Sequence, residues 1–255
     1  ETPTGSCVDS YDCGDGFFCE PTLEQCLPQL DPVVCEVQPE FEELDVLEEW
    51  VWDADQVISM PAIGDLDGDG FSEVVVNTTQ QDGGSWPAGE VVVLNGQTGE
   101  ELWRIDNNPG QNQFGSHGRS TLGLADVDGD ELADIVYAGR ANAVVSGSVI
   151  YAVDGNGDLI WSSRLPNDSP AGVTVENGAP SLANLDDDPM AEIIFGAAVL
   201  DHDGTLVATF GAGGAEGTNL GYTGGITAIA NLDDDPEPEF VAGRNAFEID
   251  WVDPD

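Results

Sequence analysis

Asp65-Leu66-Asp67-Gly68-Asp69-Gly70-Phe71-Ser72-Glu73 runs directly into Val74-Val75-Val76, and the phrase returns three times. The copies are Asp126-Val127-Asp128-Gly129-Asp130-Glu131-Leu132-Ala133-Asp134, Asn184-Leu185-Asp186-Asp187-Asp188-Pro189-Met190-Ala191-Glu192 and Asn231-Leu232-Asp233-Asp234-Asp235-Pro236-Glu237-Pro238-Glu239. Oxygen-bearing side chains fall at positions 1, 3, 5 and 9 of every copy. Alternate carboxylates of so short a loop point inward, and the position 7 carbonyl of Phe71, Leu132, Met190 and Glu237 can join them. Such an oxygen cage suits a hard cation, and Ca²⁺ fits best. About four Ca²⁺ ions are expected, one per loop.

The spacing excludes an EF-hand, which needs Gly at position 6 and a bidentate Glu at position 12 between helices. Position 12 here is Val76, Tyr137, Phe195 and Ala242, and the flanks Ile135-Val136-Tyr137, Ile193-Ile194-Phe195 and Phe240-Val241 read as strands. The position 9 acid closes the loop and a strand follows at once. A single acidic turn would read equally well as a solvated surface; four in register do not.

Each loop is one part of a longer repeat. A small apolar segment precedes it, as in Pro61-Ala62-Ile63-Gly64 and Leu122-Gly123-Leu124-Ala125. Behind it come a second strand, a third such as Val91–Leu94 or Val149–Val153, a turn, and a fourth strand such as Glu101–Arg104 or Leu159–Trp161. The turns read Asn95-Gly96-Gln97-Thr98-Gly99, Asp154-Gly155-Asn156-Gly157 and Asp201-His202-Asp203-Gly204, and Asn-Gly and Asp-Gly are hairpin signals. One four-stranded sheet cannot bury both faces, but sheets packed around an axis can. The fold expected is all-β, a β-propeller of four-stranded blades, with about four blades visible as part of a larger ring. Trp103 and Trp161 are placed between blades in this scheme, in preference to a sugar-stacking platform.

These repeats resemble the FG-GAP or VCBS family, the calcium-loop blades of the integrin α-chain propeller, over roughly residues 50–255. The resemblance implies that each loop joins the first and second strands of a blade. It implies calcium ligands at Asp65, Asp67, Asp69, Phe71 and Glu73; at Asp126, Asp128, Asp130, Leu132 and Asp134; at Asn184, Asp186, Asp188, Met190 and Glu192; and at Asn231, Asp233, Asp235, Glu237 and Glu239. Asn at position 1 of the last two loops lowers their charge, so these two are expected to bind more weakly. The family's Phe-Gly and Gly-Ala-Pro words survive in part, as Phe114-Gly115 and Gly178-Ala179-Pro180.

The chain has 255 residues, with 50 acidic side chains against five arginines and no lysine, for a formal net charge of −45. This charge repels nucleic acid and anionic membranes, and no stretch is long enough to span a bilayer. All five cysteines lie between Cys7 and Cys35. The gaps among Cys7, Cys13, Cys19 and Cys26 do not suit zinc, and they read as two disulfides stapling a small module. Their pairing is left open. Cys35 is free for a link to another chain or for self-association. The divisions expected are a cysteine-rich head over residues 1–35, an acidic linker with a closing strand over 36–55, and the repeats over 56–255. An oxidising, extracellular or cell-surface location follows.

Three functions compete. The leading one is a non-enzymatic, calcium-stabilised binding or adhesion module with a protein or glycan partner at the cell surface. The alternatives are a structural subunit of an extracellular appendage or matrix, and the propeller of a polysaccharide-degrading enzyme. No nucleophile motif is present, and neither His117 nor His202 reads as a catalytic base; each reads as a surface residue. Arginine is scarce where a lyase needs positive charge against a uronate. No catalytic residue is assigned.

Overall fold

The structure is a computed structural model. It describes residues 13, 17–20, 25–28, 46–79, 88–106, 115–139, 145, 147–175, 178–186, 188–195, 198–209, 226–233, 238–242 and 245–248. The chain divides into two compact units, Glu1–Glu48 and Glu49–Asp255. In the first, β1 (Phe17–Glu20) and β2 (Gln25–Pro28) form an antiparallel hairpin with Cys19 opposite Cys26. A disulfide joins Cys13 to Cys26. Cys19 is also disulfide-bonded. The two half-cystines at Cys19 and Cys26 form the buried centre of this unit, with Cys13 and Phe17 against them. So few apolar side chains cannot hold a fold without covalent help.

The second unit is built of antiparallel sheets, and the described residues contain no helix. None is therefore long and apolar enough to cross a membrane among the described residues. The first sheet comprises β3 (Gln56–Val57), β4 (Ala62–Gly64), β5 (Glu73–Thr79), β7 (Val91–Asn95) and β8 (Glu101–Ile105). A short strand β6 (Ala88–Gly89) pairs with β9 (Ser116–His117). The second sheet runs β10 (Gly123–Ala125), β11 (Asp134–Ala138), β12 (Ile150–Val153) and β13 (Leu159–Ser162) in order. The third repeats this with β14 (Ser181–Ala183), β15 (Glu192–Phe195), β16 (Ala198–Leu200) and β17 (Leu206–Thr209). The last has β18 (Thr227–Ala230), β19 (Glu239–Ala242) and β20 (Asn245–Phe247).

Strand periodicity explains how one sheet serves two cores, because successive side chains leave opposite faces. On β11, Ile135 and Tyr137 join Val75, Val91 and Val93 of the first sheet. Val136 and Ala138, on the other face, join Ile193, Phe195, Ala198 and Leu200 of the third. The third sheet repeats the device, passing Ile194 and Val199 to Phe240 and Ala242. The sheets are thus stacked face to face in chain order. In the first three, the ladder to the last strand slips at the same place, at Val93/Leu94, Ala152/Val153 and Val199/Leu200.

Trp103 and Trp161 lie between sheets, and Trp50 packs on the face of the first sheet that carries Val76, Val92 and Leu94. A side chain at Gly99 would strike Trp50, one at Gly157 would crowd Trp103, and one at Gly204 would strike Trp161. Those three glycines carry the positive φ of the turns, at 72°, 85° and 83°. Gly96 and Gly155, the glycines of the Asn-Gly and Asp-Gly signals, do not. They are needed for close approach, since a Cβ on Gly96 would meet the Ser72 carbonyl and one on Gly155 the Leu66 carbonyl. Their own carbonyls accept the indole N–H groups of Trp50 and Trp103, each at 3.0 Å.

Phe195 is 0% exposed in the core between the second and third sheets, whereas Leu102 on β8 is 50% exposed. Phe195→Ala is expected to lower unfolding free energy by about 3–5 kcal/mol, and Leu102→Ala by less than about 0.5 kcal/mol. Denaturant melts of the two variants beside the parent check this; equal losses would contradict the assignment of the core.

Candidate metal centres

Each acidic loop bridges a short strand to the buried second strand of its sheet, and position 9 is the first residue of that second strand. There its carboxylate turns back along the loop. Glu73 Oε2 accepts the Leu66 N–H at 2.9 Å, Asp134 Oδ2 the Val127 N–H at 2.9 Å, Glu192 Oε2 the Leu185 N–H at 2.6 Å, and Glu239 Oε2 the Leu232 N–H at 2.6 Å. All four carboxylates are buried. The second oxygen of Glu192 and of Glu239, Oε1 in each case, is buried without a hydrogen-bond partner.

The other acids order the loop backbone. Asp65 accepts the N–H of Gly68 and of Gly70, at 2.8 and 2.9 Å, and Asp126 accepts those of Gly129 and Glu131, at 2.7 and 2.9 Å. Position 3 binds the amide of position 5, as Asp67 does for Asp69 and Asp128 for Asp130, each at 3.1 Å. Position 5 binds the amide of position 7, as Asp69 does for Phe71 and Asp130 for Leu132, each at 2.8 Å. Position 6 takes positive φ, 88° at Gly70 and 70° at Glu131.

Loops three and four have Pro189 and Pro236 at position 6. Proline has no N–H to donate and cannot take positive φ. A carboxylate at position 1 would lose its second donor there. Asparagine stands in its place, and in the third loop the Asn184 side-chain amide donates to the Asp188 carbonyl instead. The Asn at position 1 is thus a partner of the proline, besides lowering the charge.

The first three loops lie in a row. Leu132, at position 7 of the second loop, sits over Gly68 of the first, and Met190 of the third sits over Gly129 of the second. The Ala191 N–H donates to the Asp126 carbonyl across the same junction, at 3.3 Å.

Ligand atoms of Asp65, Asp67 and Glu73 lie within 4.8 Å of one another, as do those of Asp126, Asp128 and Asp134. Positions 1, 3 and 9 therefore converge in the first two loops, while Asp69 and Asp130 stand outside these groups. In the third loop the converging set is Asp188, Glu192, Asp201 and His202, without Asp186. Of the fourth loop, Asn231, Asp233 and Glu239 are described, and Asp235 and Glu237 lie outside the described residues. These clusters of acids can hold metal ions.

Asp201 and His202 were not among the residues expected. Their signal was the turn itself: Asp-His stands where the other repeats have Asn-Gly and Asp-Gly, and strand pairing puts Asp201 opposite Glu192. Neither histidine is a simple surface residue. His117 is 4% exposed, in a strand whose neighbours Asn77, Ser116 and Ser120 form a buried hydrogen-bond network.

Electrostatics mark the same positions. Burial pushes the Asp134 carboxyl up to about 7, and the charges of Asp128, Asp130 and Asp126 add to the rise against the Val127 hydrogen bond. Burial likewise pushes Glu192 up to about 7, with Asp186, Asp188 and Asp201 adding to it. Asp201 is also raised, chiefly by burial.

No known-family model matches the chain. It is 28% identical over 193 residues to rhamnogalacturonan exolyase YesX of Bacillus subtilis (strain 168), covering 62% of this chain and 30% of that protein. It is 28% identical over 190 residues to rhamnogalacturonan endolyase YesW of the same organism, with the same coverage. The chain thus spans about a third of the length of these curated relatives. Among solved structures, a rhamnogalacturonan lyase of Bacillus licheniformis superposes with a TM-score of 0.51 at 23% identity, covering 72% of this chain and 35% of that one.

Three expectations fall with these findings. The resemblance to FG-GAP or VCBS repeats is not upheld, because the relatives found are lyases and no such family model matches. Acidic spacing at 1, 3, 5 and 9 reports a cation cage between two strands, and that local chemistry is not the property of one family. The non-enzymatic reading is overturned because the relatives are enzymes. The adhesion role falls with it, and the polysaccharide-degrading alternative is the better supported.

In metal-free protein, Asp134 and Glu192 hold protons in the folded state that the unfolded chain releases near pH 4. Stability is therefore greatest below about pH 4, falls as pH rises toward about 7, and the loss is complete above that. Each group accounts for on the order of a few kcal/mol. Thermal melts in chelator from pH 4.5 to 8 are expected to show Tm falling with pH, with the slope largely removed by excess Ca²⁺. A chelated protein whose Tm rises across that window would contradict the buried-carboxyl account.

Proposed function

We propose that this chain is the cation-stapled β-propeller portion of an extracellular enzyme that cleaves a uronate-containing polysaccharide of the rhamnogalacturonan class. The observation that carries this reading is the match to two rhamnogalacturonan lyases, supported by a stack of repeated sheets on which acidic loops stand in one row. The propeller is supported by three shared inter-sheet cores and by short first strands β4, β10, β14 and β18 that neighbour one another in space, in chain order. Trp50 supports closure of the ring. It covers the turn of the first sheet as Trp103 and Trp161 cover those of the second and third, so residues 50–52 stand where the last strand of a preceding blade would.

A uronate substrate is an anion meeting a chain of net charge −45. Elimination removes the proton beside the uronate carboxylate and expels the neighbouring glycosidic oxygen, which leaves an unsaturated end. Positive charge is needed to hold the substrate carboxylate and the developing charge. Of the described arginines, Arg104 pairs with Asp55, Glu90 and Glu101 and Arg164 with Asp203, which leaves the exposed Arg119 outside these pairs. A bound divalent cation supplies such charge where side chains do not. Asp65, Asp67 and Glu73 in the first loop, and Asp126, Asp128 and Asp134 in the second, are the residues that would hold Ca²⁺. The head, with its disulfide, and the acidic surface fit a secreted protein in an oxidising, calcium-containing medium.

In this reading Ca²⁺ is both scaffold and requirement. With the protein in about hundredfold excess Ca²⁺ over the dissociation constant, each site is expected to add about 2.7 kcal/mol to stability. Chelation lowers Tm clearly, and Mg²⁺ rescues it poorly. The decisive assay incubates the protein with rhamnogalacturonan and Ca²⁺ and follows the ultraviolet absorbance of unsaturated ends. Product in Ca²⁺ and none in chelator is expected. Neither product nor retention on any uronate polysaccharide, under conditions where a control lyase works, would refute the enzyme reading.

A further inference from the structure

The third acidic loop is built differently from the first two. Its converging donors come from two places: Asp188 and Glu192 from the loop and its strand, Asp201 and His202 from the turn after β16. Pairing of Ile193 with Leu200 places Glu192 and Asp201 opposite one another. His202 occupies the turn position held by Gly96 and Gly155 in the first two sheets, where a side chain has no room. Here the side chain is accommodated and directed at the loop. The change is felt nearby: the buried Trp161 Nε1 makes no hydrogen bond, whereas Trp50 and Trp103 bond the carbonyls of Gly96 and Gly155.

His202 Nδ1 lies 3.0 Å from Asp188 Oδ2 and 2.9 Å from Asp201 Oδ1. Neither approach is a hydrogen bond. Glu192 Oε1, Asp201 Oδ1 and His202 Nδ1 are all buried atoms without a hydrogen-bond partner, and Glu192 is 0% exposed. Buried polar atoms are normally satisfied, and such a group of orphans around one point calls for a common partner. Four donors from four side chains is the number a tetrahedral centre uses.

The donor set decides the metal. Ca²⁺ takes six to eight oxygens, as the all-oxygen groups of the first two loops can begin to supply. Imidazole nitrogen suits Zn²⁺ and neighbouring transition metals. We propose that Asp188, Glu192, Asp201 and His202 form a mixed nitrogen–oxygen centre for a divalent transition metal of the Zn²⁺ class, so that the chain binds two chemically different kinds of cation. The inference rests on this cluster and not on the polysaccharide reading.

The test strips the protein with chelator, restores millimolar Ca²⁺ to fill the oxygen loops, and titrates Co²⁺ as a visible probe. One equivalent of Co²⁺ is expected to give a saturable absorption band that stoichiometric Zn²⁺ abolishes and about hundredfold Ca²⁺ does not. His202→Asn is expected to weaken Co²⁺ and Zn²⁺ at least about tenfold, while the calcium-dependent rise in Tm is unchanged. Asp201→Asn, in the same turn, gives a second variant with the same expected loss should the first fold poorly. Absence of a saturable band, displacement by Ca²⁺, or Co²⁺ affinity equal to the parent's in both variants would overturn the proposal. None of these results touches the unsaturated-product assay, so failure of one reading is distinguishable from failure of the other.

Discussion

The structure depends on a carboxylate placed at the first residue of a buried strand. Glu73, Asp134, Glu192 and Glu239 each enter the apolar stack at the point where the acidic loop ends, and each spends one oxygen on the backbone N–H seven residues earlier. Burying an ionised carboxylate is costly unless it is paired or protonated. At Asp134 and Glu192 one hydrogen bond to a backbone amide does not offset burial, which pushes both carboxyls up to about 7. The remaining oxygen needs either a proton or a cation. The other acids of the loop place a cation within reach, so the demand made by the strand is met by the loop before it. That coupling ties ladder, core and metal chemistry into one repeated device.

The device was legible because it is local. Four copies of nine residues, each followed by an apolar strand, give the second strand, its buried acid and the loop without reference to anything distant. The stacking of sheets was legible for the same reason, since β-strand alternation on Val74-Val75-Val76 or Ile135-Val136-Tyr137 offers apolar side chains to both faces. The third centre was not legible in the same way. Asp201 and His202 are separated from Glu192 by a whole strand, and only the pairing register of β15 with β16 brings them together. The role of the glycines was half-read. Asn95-Gly96 does announce a turn, but the positive φ falls at Gly99, and Gly96 is there because the Ser72 carbonyl leaves no room for a side chain.

Function was misread because scarcity of arginine was taken as scarcity of positive charge. Five arginines are few for holding an acidic sugar, and Arg104 and Arg164 are engaged with acidic neighbours. A chain that gathers carboxylates into cages, however, acquires its positive charge from solution. The same acidity that repels an anionic substrate gathers carboxylates into groups that can hold divalent cations. An adhesion module and a lyase can share this scaffold, since fold alone does not fix activity; the enzyme relatives, not the loops, tip the balance.

Variation among the loops follows from one residue. Where position 6 is Gly70 or Glu131, its N–H and positive φ let an aspartate at position 1 use both oxygens on the loop. Where position 6 is proline, that donor is gone, and Asn184 instead gives a hydrogen bond to the Asp188 carbonyl. The third loop thereby draws its first and fifth positions together and leaves Asp188 facing the turn, where Asp201 and His202 wait. Substituting asparagine for aspartate removes one negative charge, and the turn returns one in Asp201 and adds a nitrogen. The change of metal preference is therefore not an ornament added to a standard loop. It is the consequence of a proline that cost the loop a backbone donor and of a histidine set where its neighbours require glycine.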